Sequence, residues 1–282
     1  MAKLSLTPAL KLEYEQLFNS CLINPSRFND VNALVNSLYE HREQYQGVAE
    51  SMDIPWGFIA VVHNMESSQK FQKHLHNGDP LTARTVHVPA GRPLGPPPFT
   101  WETSAVDALT LRKLNARTDW TLPGTLYQLE LYNGSGYRLY HPHVLTPYLW
   151  SFSNHYQSGK YVGDGTWSES AKSAQCGAAV LLRRMAENGY IDFPDQPSPA
   201  PQDGPIIVEY SATRPGNPEA EAKAENLQRW LNTFPGIFVK VDGAPGDRTS
   251  AAYFKVTGHY LPGDPRGGGV SDRLSPMAAT GH

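Results

Sequence analysis

Apolar residues recur at helical spacing along most of the first half of the chain. Residues 9 to 21 place Leu10, Tyr14, Leu17 and Phe18 on one helical face, and residues 31 to 46 repeat the pattern with Val31, Leu34, Val35, Leu38 and Tyr39. A third run opens Asp53-Ile54-Pro55-Trp56-Gly57-Phe58, where the Pro suits a first helical turn, and the pattern predicts a helix onward through Phe71. Ile59, Val62 and Glu66 fall at i, i+3 and i+7 of that helix, so Glu66 extends an apolar stripe. Beyond a turn at 74 to 80, Thr85, Val86 and Val88 predict a strand over Thr82 to Pro89, forming a short hairpin lip. Gly91 to Pro98 is too rich in Pro and Gly for regular structure. Further helices are expected at about 103 to 114, 122 to 133 and 171 to 187, with a tight turn at Asn133-Gly134-Ser135-Gly136.

The pattern changes near residue 192. Residues 192 to 205 are rich in Pro, and Ile206 to Tyr210 is read as a strand. A second unit follows, with a helix carrying Leu227, Trp230 and Leu231, a break at Pro235-Gly236, and a last helix through Ala251, Phe254 and Val256. The expected fold class is therefore mainly α (α+β). Residues 1 to 200 form a helical domain with a small hairpin lip, 201 to 217 a linker, 218 to 265 a small three-helix module, and 266 to 282 a disordered tail.

Composition narrows the function classes. The 282 residues carry a net charge of −3 and 18% charged residues, which gives no electrostatic reason to expect nucleic acid or a membrane as partner. No apolar segment reaches membrane-spanning length, and the first eight residues lack the apolar core and cleavage pattern of a secretory signal. The two cysteines, Cys21 and Cys176, have no metal-ligand spacing, and free core thiols are the commoner outcome for such a pair.

The candidate chemistry centres on Glu66. A carboxyl at the end of an apolar helix is poorly solvated, so its pKa rises toward what a general acid near neutrality requires. The alternative is a solvated acid at a helix end. Asp79, in the turn before the lip, offers a second carboxyl in a different environment, which is how acid and base roles separate in glycosidic cleavage. Thr85 offers a hydroxyl that would hold a water. Trp101, Tyr132, Tyr137, Tyr148 and Trp150 are candidate groove walls for sugar rings, although each is individually more often core.

Glu66, Asp79 and Thr85 resemble the Glu, Asp, Thr triad of phage-type lysozymes, with the same five residues between Asp and Thr and a longer gap from Glu to Asp. Glu66-Ser67 and Tyr132-Asn133-Gly134 resemble the Glu-Ser and Tyr-Asn motifs of soluble lytic transglycosylases, which share the lysozyme-like fold. Leu227-Gln228, Leu231-Asn232, Val241-Asp242-Gly243, Gly246 and Thr249 with Ala251 and Ala252 are similar to the pattern of the small peptidoglycan-binding domain. In physical terms that pattern is a helix, an Asp-Gly turn and a Thr-capped second helix, all folding determinants.

These resemblances imply a muramidase-type peptidoglycan hydrolase acting on the cell wall, periplasmic or extracellular, reached by a non-classical or phage-type route. It would act as a monomer with no cofactor, with Glu66 as acid, Asp79 as base and Thr85 positioning water. Tyr132, Asn133, His63, Tyr137 and Trp101 would contact the glycan. Hydrolysed and anhydro products both remain open, as do chitin and chitosan as substrates. Two other readings stand beside this one: a zinc-dependent wall peptidase or amidase using His63, Glu66, His74 and His76, and a non-catalytic wall-binding protein.

Overall fold

The structure is a computed structural model that describes residues 4–163, 165–193 and 208–267. The chain divides into two compact units, Met1–Asp195 and Gln196–His282. The fold is mainly helical, as expected, with one two-stranded antiparallel sheet among the described residues.

The first unit begins with α1 (Pro8–Asn19), which starts where Thr7 accepts a hydrogen bond from the Leu10 amide at 3.2 Å and Pro8 takes the first turn. It buries Leu10, Tyr14 and Phe18 and packs on α6 (Leu122–Asn133). The single helix expected over 31 to 46 is two, α2 (Phe28–Glu40) and α3 (Arg42–Met52). The break falls at His41, whose backbone leaves helical geometry and whose Nδ1 sits 2.9 Å from the Ser37 carbonyl. Local side-chain to backbone bonding of this kind is invisible to apolar periodicity.

At the centre lies α4 (Trp56–Ser67), packed against α2, α3, α6 and α9 (Ala178–Glu187). It is buried on every side, with Trp56 and Glu66 its only half-buried residues. A helix apolar all round belongs in a core. It stops at Ser67 rather than running through Phe71, because Ser68 and Gln69 turn left-handed (φ 52° and 61°) and their amides return to the Asn64 and His63 carbonyls. Gly177, just ahead of α9, lies so close to the Leu149 carbonyl that no side chain fits. Fully buried Arg183 of α9 donates to the Phe18 carbonyl at 3.0 Å, satisfying the end of α1.

The hairpin lies elsewhere than expected. Residues 82 to 89 form an irregular loop, and the strands are β1 (Lys160–Gly163) and β2 (Thr166–Ser168), pairing Lys160 with Ser168 and Tyr161 with Trp167. Thr85 and Val86 favour strand intrinsically, but prolines at 89, 93 and 96–98 remove the ladder donors a partner strand would need. Between α4 and β1 come α5 (Trp101–Leu111), α6, α7 (Gly136–Tyr140) and α8 (Pro147–Trp150). The helix expected from 171 begins only at 178. Cys21 and Cys176 are free and buried, and burial pushes the Cys21 thiol up to about 12.

The second unit has two α-helices among its described residues, α10 (Pro218–Leu231) and α11 (Asp247–Thr257), with a 3-10 turn at Pro265–Gly267. They enclose Val208, Leu227, Leu231, Ile237, Val239, Val256 and Leu261. Residues 208–211, expected in the linker, belong here: Val208 is in the core, and the Tyr210 and Ser211 amides donate to the Pro262 and Pro245 carbonyls. Residues 208–210 form no strand. The rest of the strand expected at 206–210, the Pro-rich stretch beyond Phe193, and the tail beyond Gly267 lie outside the described residues. Thr249 is no cap, since α11 starts after Gly246 and Thr249 is buried inside its first turn.

Gln228 organises this unit. Its carbonyl accepts from the Asp242 and Gly243 amides at 2.8 and 3.0 Å, while its amide donates to Asp242 Oδ1, the Ala244 carbonyl and Thr249. Gln228→Leu keeps the volume and strands these buried partners, so urea unfolding, with hydrogen exchange of the α10 amides as local probe, is expected to show the second unit destabilised by about 3 kcal/mol.

Candidate functional site

Glu66 stands in the last turn of α4, where the buried helix meets solvent. Three other elements bring polar groups to it. Tyr148, the second residue of α8, donates its hydroxyl to Glu66 Oε1 at 3.0 Å. Arg112, which ends α5, acts as a positive charge on Glu66 and lays its guanidinium 3.6 Å over the ring of Tyr132. Tyr132, near the end of α6, is buried, and its hydroxyl lies within the field of the Glu66 charge.

Electrostatics follow from this packing. Burial pushes the Glu66 carboxyl up, and the Tyr148 hydrogen bond and the Arg112 charge oppose that rise without cancelling it. Burial and the neighbouring Glu66 carboxylate likewise push the Tyr148 phenol far up, so it remains a donor at any working pH. The result is a half-exposed acid that keeps its proton longer than an ordinary glutamate, with a fixed donor on one oxygen. That is a group able to give a proton to a leaving oxygen and take one back.

Asp79 sits differently. Its Oδ2 accepts from the Val86 and His87 amides at 2.8 and 3.0 Å, and its Oδ1 meets His87 Nδ1 at 2.6 Å. Burial pushes its carboxyl up, but the His87 and Val86 hydrogen bonds outweigh this and hold it at about 2. Thr85 is similarly engaged: its hydroxyl donates to the Pro89 carbonyl and accepts from the Arg92 amide at 2.9 Å. Both residues close the 79–92 loop upon itself. Neither is hydrogen-bonded to Glu66, Tyr148, Tyr132 or Arg112, although Gly78, the residue before Asp79, lies against the Glu66 backbone carbonyl.

The histidines do not gather around Glu66, although His74 and His76 lie together at Ser104. His63 is fully buried, with Nδ1 2.9 Å from the Tyr45 hydroxyl and its ring against Phe71 and Trp101, and burial pushes it down to about 4. His74 meets Ser104 and the Ala83 carbonyl, each at 2.8 Å. His76 pairs with Asp107 at 2.8 Å, and Asp107 also binds Arg92. Among the described residues no group of three or more His, Cys, Asp or Glu is placed to hold a metal ion, so the His63, Glu66, His74, His76 ligand set does not form. Trp101 is core beneath His63, and Tyr137 packs edge-on to Tyr161 and Trp167. Asn133 is exposed at the end of α6, one residue past Tyr132.

Sequence reasoning placed Tyr148 among possible groove aromatics without joining it to Glu66, and it passed over Arg112 entirely. No local signal marks Arg112, an exposed Arg at a helix end; only the fold brings it over Tyr132. No helix of the described residues is long and apolar enough to cross a membrane. Comparisons with protein-family models, curated proteins and solved structures find no match to this chain.

Two stability experiments separate the acids. Because the folded chain holds the Glu66 proton to higher pH than the unfolded chain does, ionising Glu66 destabilises the native state as pH rises through the carboxylate range. Glu66→Gln is therefore expected to melt higher than wild type at pH 7, with the advantage vanishing as pH falls below the ordinary glutamate value of 4.5. A lower melting point for the variant at pH 7 would contradict the desolvation account. Asp79 has the opposite sign: its stabilisation is present above 3.8 and lost as pH falls through about 2. Asp79→Asn should lower stability by about 1 to 3 kcal/mol at pH 7, read by chemical denaturation, and the difference should shrink in acid.

Proposed function

We propose that the chain cleaves a β-linked amino-sugar glycan, peptidoglycan being the favoured substrate, with Glu66 as the proton donor. The observation that carries this reading is the half-exposed, desolvated Glu66 carboxyl held by the Tyr148 hydroxyl beside Arg112 and Tyr132. Glu66 and Tyr132 were the key members of the two transglycosylase-like motifs, and their approach across a separation of 66 positions supports treating them as one site. Protonation of the glycosidic oxygen is favoured by an acid that holds its proton to higher pH than an ordinary carboxyl, and burial moves Glu66 in that direction.

The reading assigns no second carboxylate as base. With the Asp79 oxygens occupied by three hydrogen bonds, activation of a nucleophile falls back on Glu66 itself once it has given up its proton. A nucleophile within the substrate, a sugar hydroxyl on the cleaved residue, suits a lone acid that becomes a base, and favours the anhydro product over the hydrolysed one. Arg112 and the Tyr148 hydroxyl steady the carboxylate between the two half-reactions. In this reading the second unit is a wall-binding module, which raises local effective concentration on an insoluble polymer.

Mass spectrometry of digested sacculi tests substrate and product together, with anhydro-ended fragments expected. Glu66→Gln should reduce fragment release by roughly a thousandfold, within the range for loss of a general acid. Tyr148→Phe removes the bond that holds the Glu66 pKa down, so the alkaline limb of kcat/KM should move to higher pH while the rate falls about tenfold. Unchanged sacculus digestion by Glu66→Gln would overturn Glu66 as the proton donor, and absence of digestion by the wild-type chain would leave the wall-binding reading in its place.

A further inference from the structure

A second feature of the first unit is unused by this chemistry. A groove of about 740 Å³ opens between the start of α2, the end of α4 and the segment before α9. That volume is within the range of small-molecule sites, about 300 to 1,000 Å³. Asn64, which lines it, stands about 200° around α4 from Glu66 at 3.6 residues per turn, so the groove lies on a different side of the helix.

Its lining is amide and hydroxyl rich. Ser37, Asn64, Ser68, Gln69 and Gln175 face it, and its only charged lining residues, Arg27 and Asp30, neutralise each other at 2.9 Å. The Arg27 guanidinium lies 4.1 Å over the Phe152 ring, which gives the groove one flat aromatic wall. Gln69 Nε2 is used by Asn64 Oδ1 at 2.9 Å and by the Leu34 carbonyl at 3.3 Å, while its buried Oε1 has no partner. Gln69 thus keeps one buried acceptor unpaired at a residue that lines the groove.

Backbone strain concentrates at the same place. Ser68, Gln69 and Phe152 all have positive φ (52°, 61° and 73°), and they are three of the five non-glycine residues so placed among those described. Such conformations persist where surrounding structure holds them, and they cluster at binding sites.

We propose that this groove is a saccharide-binding site for a neutral, acetamido-bearing sugar, distinct from the Glu66 site. Charge neutrality argues against an anion or a cation as ligand. No strand edge borders the groove, and its apolar lining, Ala33, Leu34, Phe152 and Ala174, is shared with Arg27, Asp30 and five amide or hydroxyl side chains, so neither strand addition nor a wholly apolar helix seat, the usual routes for a peptide, is provided for. Sugar hydroxyls and acetamides both donate and accept, which matches a wall of Ser, Asn and Gln side chains beside one aromatic ring.

The test is alanine-methyl NMR of the full chain carrying Glu66→Gln, titrated with tri-N-acetylchitotriose; the methyls of Ala33 and Ala174 line the groove, and fully buried Ala60 is a control. Saturable shifts of Ala33 and Ala174 are expected, with Ala60 unmoved. Arg27→Ala should weaken the response at least tenfold. Ala33→Trp, on the exposed face of α2, should fill the groove and abolish the Ala174 shift while other methyls keep their positions, which shows that the fold is intact. Absent shifts, or shifts indifferent to both substitutions, would overturn the proposal. A response to an alanyl-glutamine peptide in place of the sugar would overturn it in favour of a peptide site. Because Glu66 is already replaced, none of these outcomes depends on the catalytic reading.

Discussion

A helix without a solvent face sets the terms for the first unit. Phe58, Ile59, Val61 and Val62 of α4 are all buried, and at ~1.5–3 kcal/mol for each such side chain their burial contributes on the order of 6–12 kcal/mol. Against that, partial desolvation of one carboxyl at the helix end costs about 1.4 kcal/mol per pKa unit. The core term wins, so the protein can hold Glu66 in surroundings that would otherwise expel it. The acidity of Glu66 is therefore a by-product of packing: α6, which packs on α4, carries Tyr132, and α8, which packs on α6 and α9, brings Tyr148 to Glu66.

The loop after α4 shows polar groups performing a similar task without a core. Asp79 gathers two amides and an imidazole, Thr85 bridges to Pro89 and Arg92, and Arg92 reaches Asp107 on α5. This bracing holds Val86, Val88 and Leu94 outward, at 74%, 89% and 71% exposure, the largest values among the exposed large apolar side chains of the described residues. The second unit repeats the device in miniature, with buried Gln228 holding the Asp242-Gly243 turn against α10.

Much of the fold was legible along the chain. Helices α1, α6 and α10 each begin at a Thr or Asn whose side chain accepts from a first-turn amide, followed by residues suited to the first turn, and their apolar spacing is helical. The all-apolar run before Glu66 marked both the core helix and the acid at its end. The illegible parts share one character: each depends on hydrogen bonds that leave no period in the apolar pattern. His41 splits a helix through the Ser37 carbonyl, Ser68 and Gln69 end another by turning left-handed, and the hairpin forms at 160–168 because the earlier strand-like run has no partner with free donors.

By itself, the sequence determined that the chain is mainly helical, that it has two units, and that Glu66 closes the apolar run of a core helix, since these follow from local composition and spacing. Tertiary structure decided what surrounds that carboxyl. The Tyr148 hydroxyl reaches Glu66 across 82 positions, Arg112 covers Tyr132 across 20, and Asp79 turns inward to its own loop. The reason is physical: a pKa and a hydrogen-bond partner depend on which groups share a volume after folding, and periodicity records only which face of an element is turned inward.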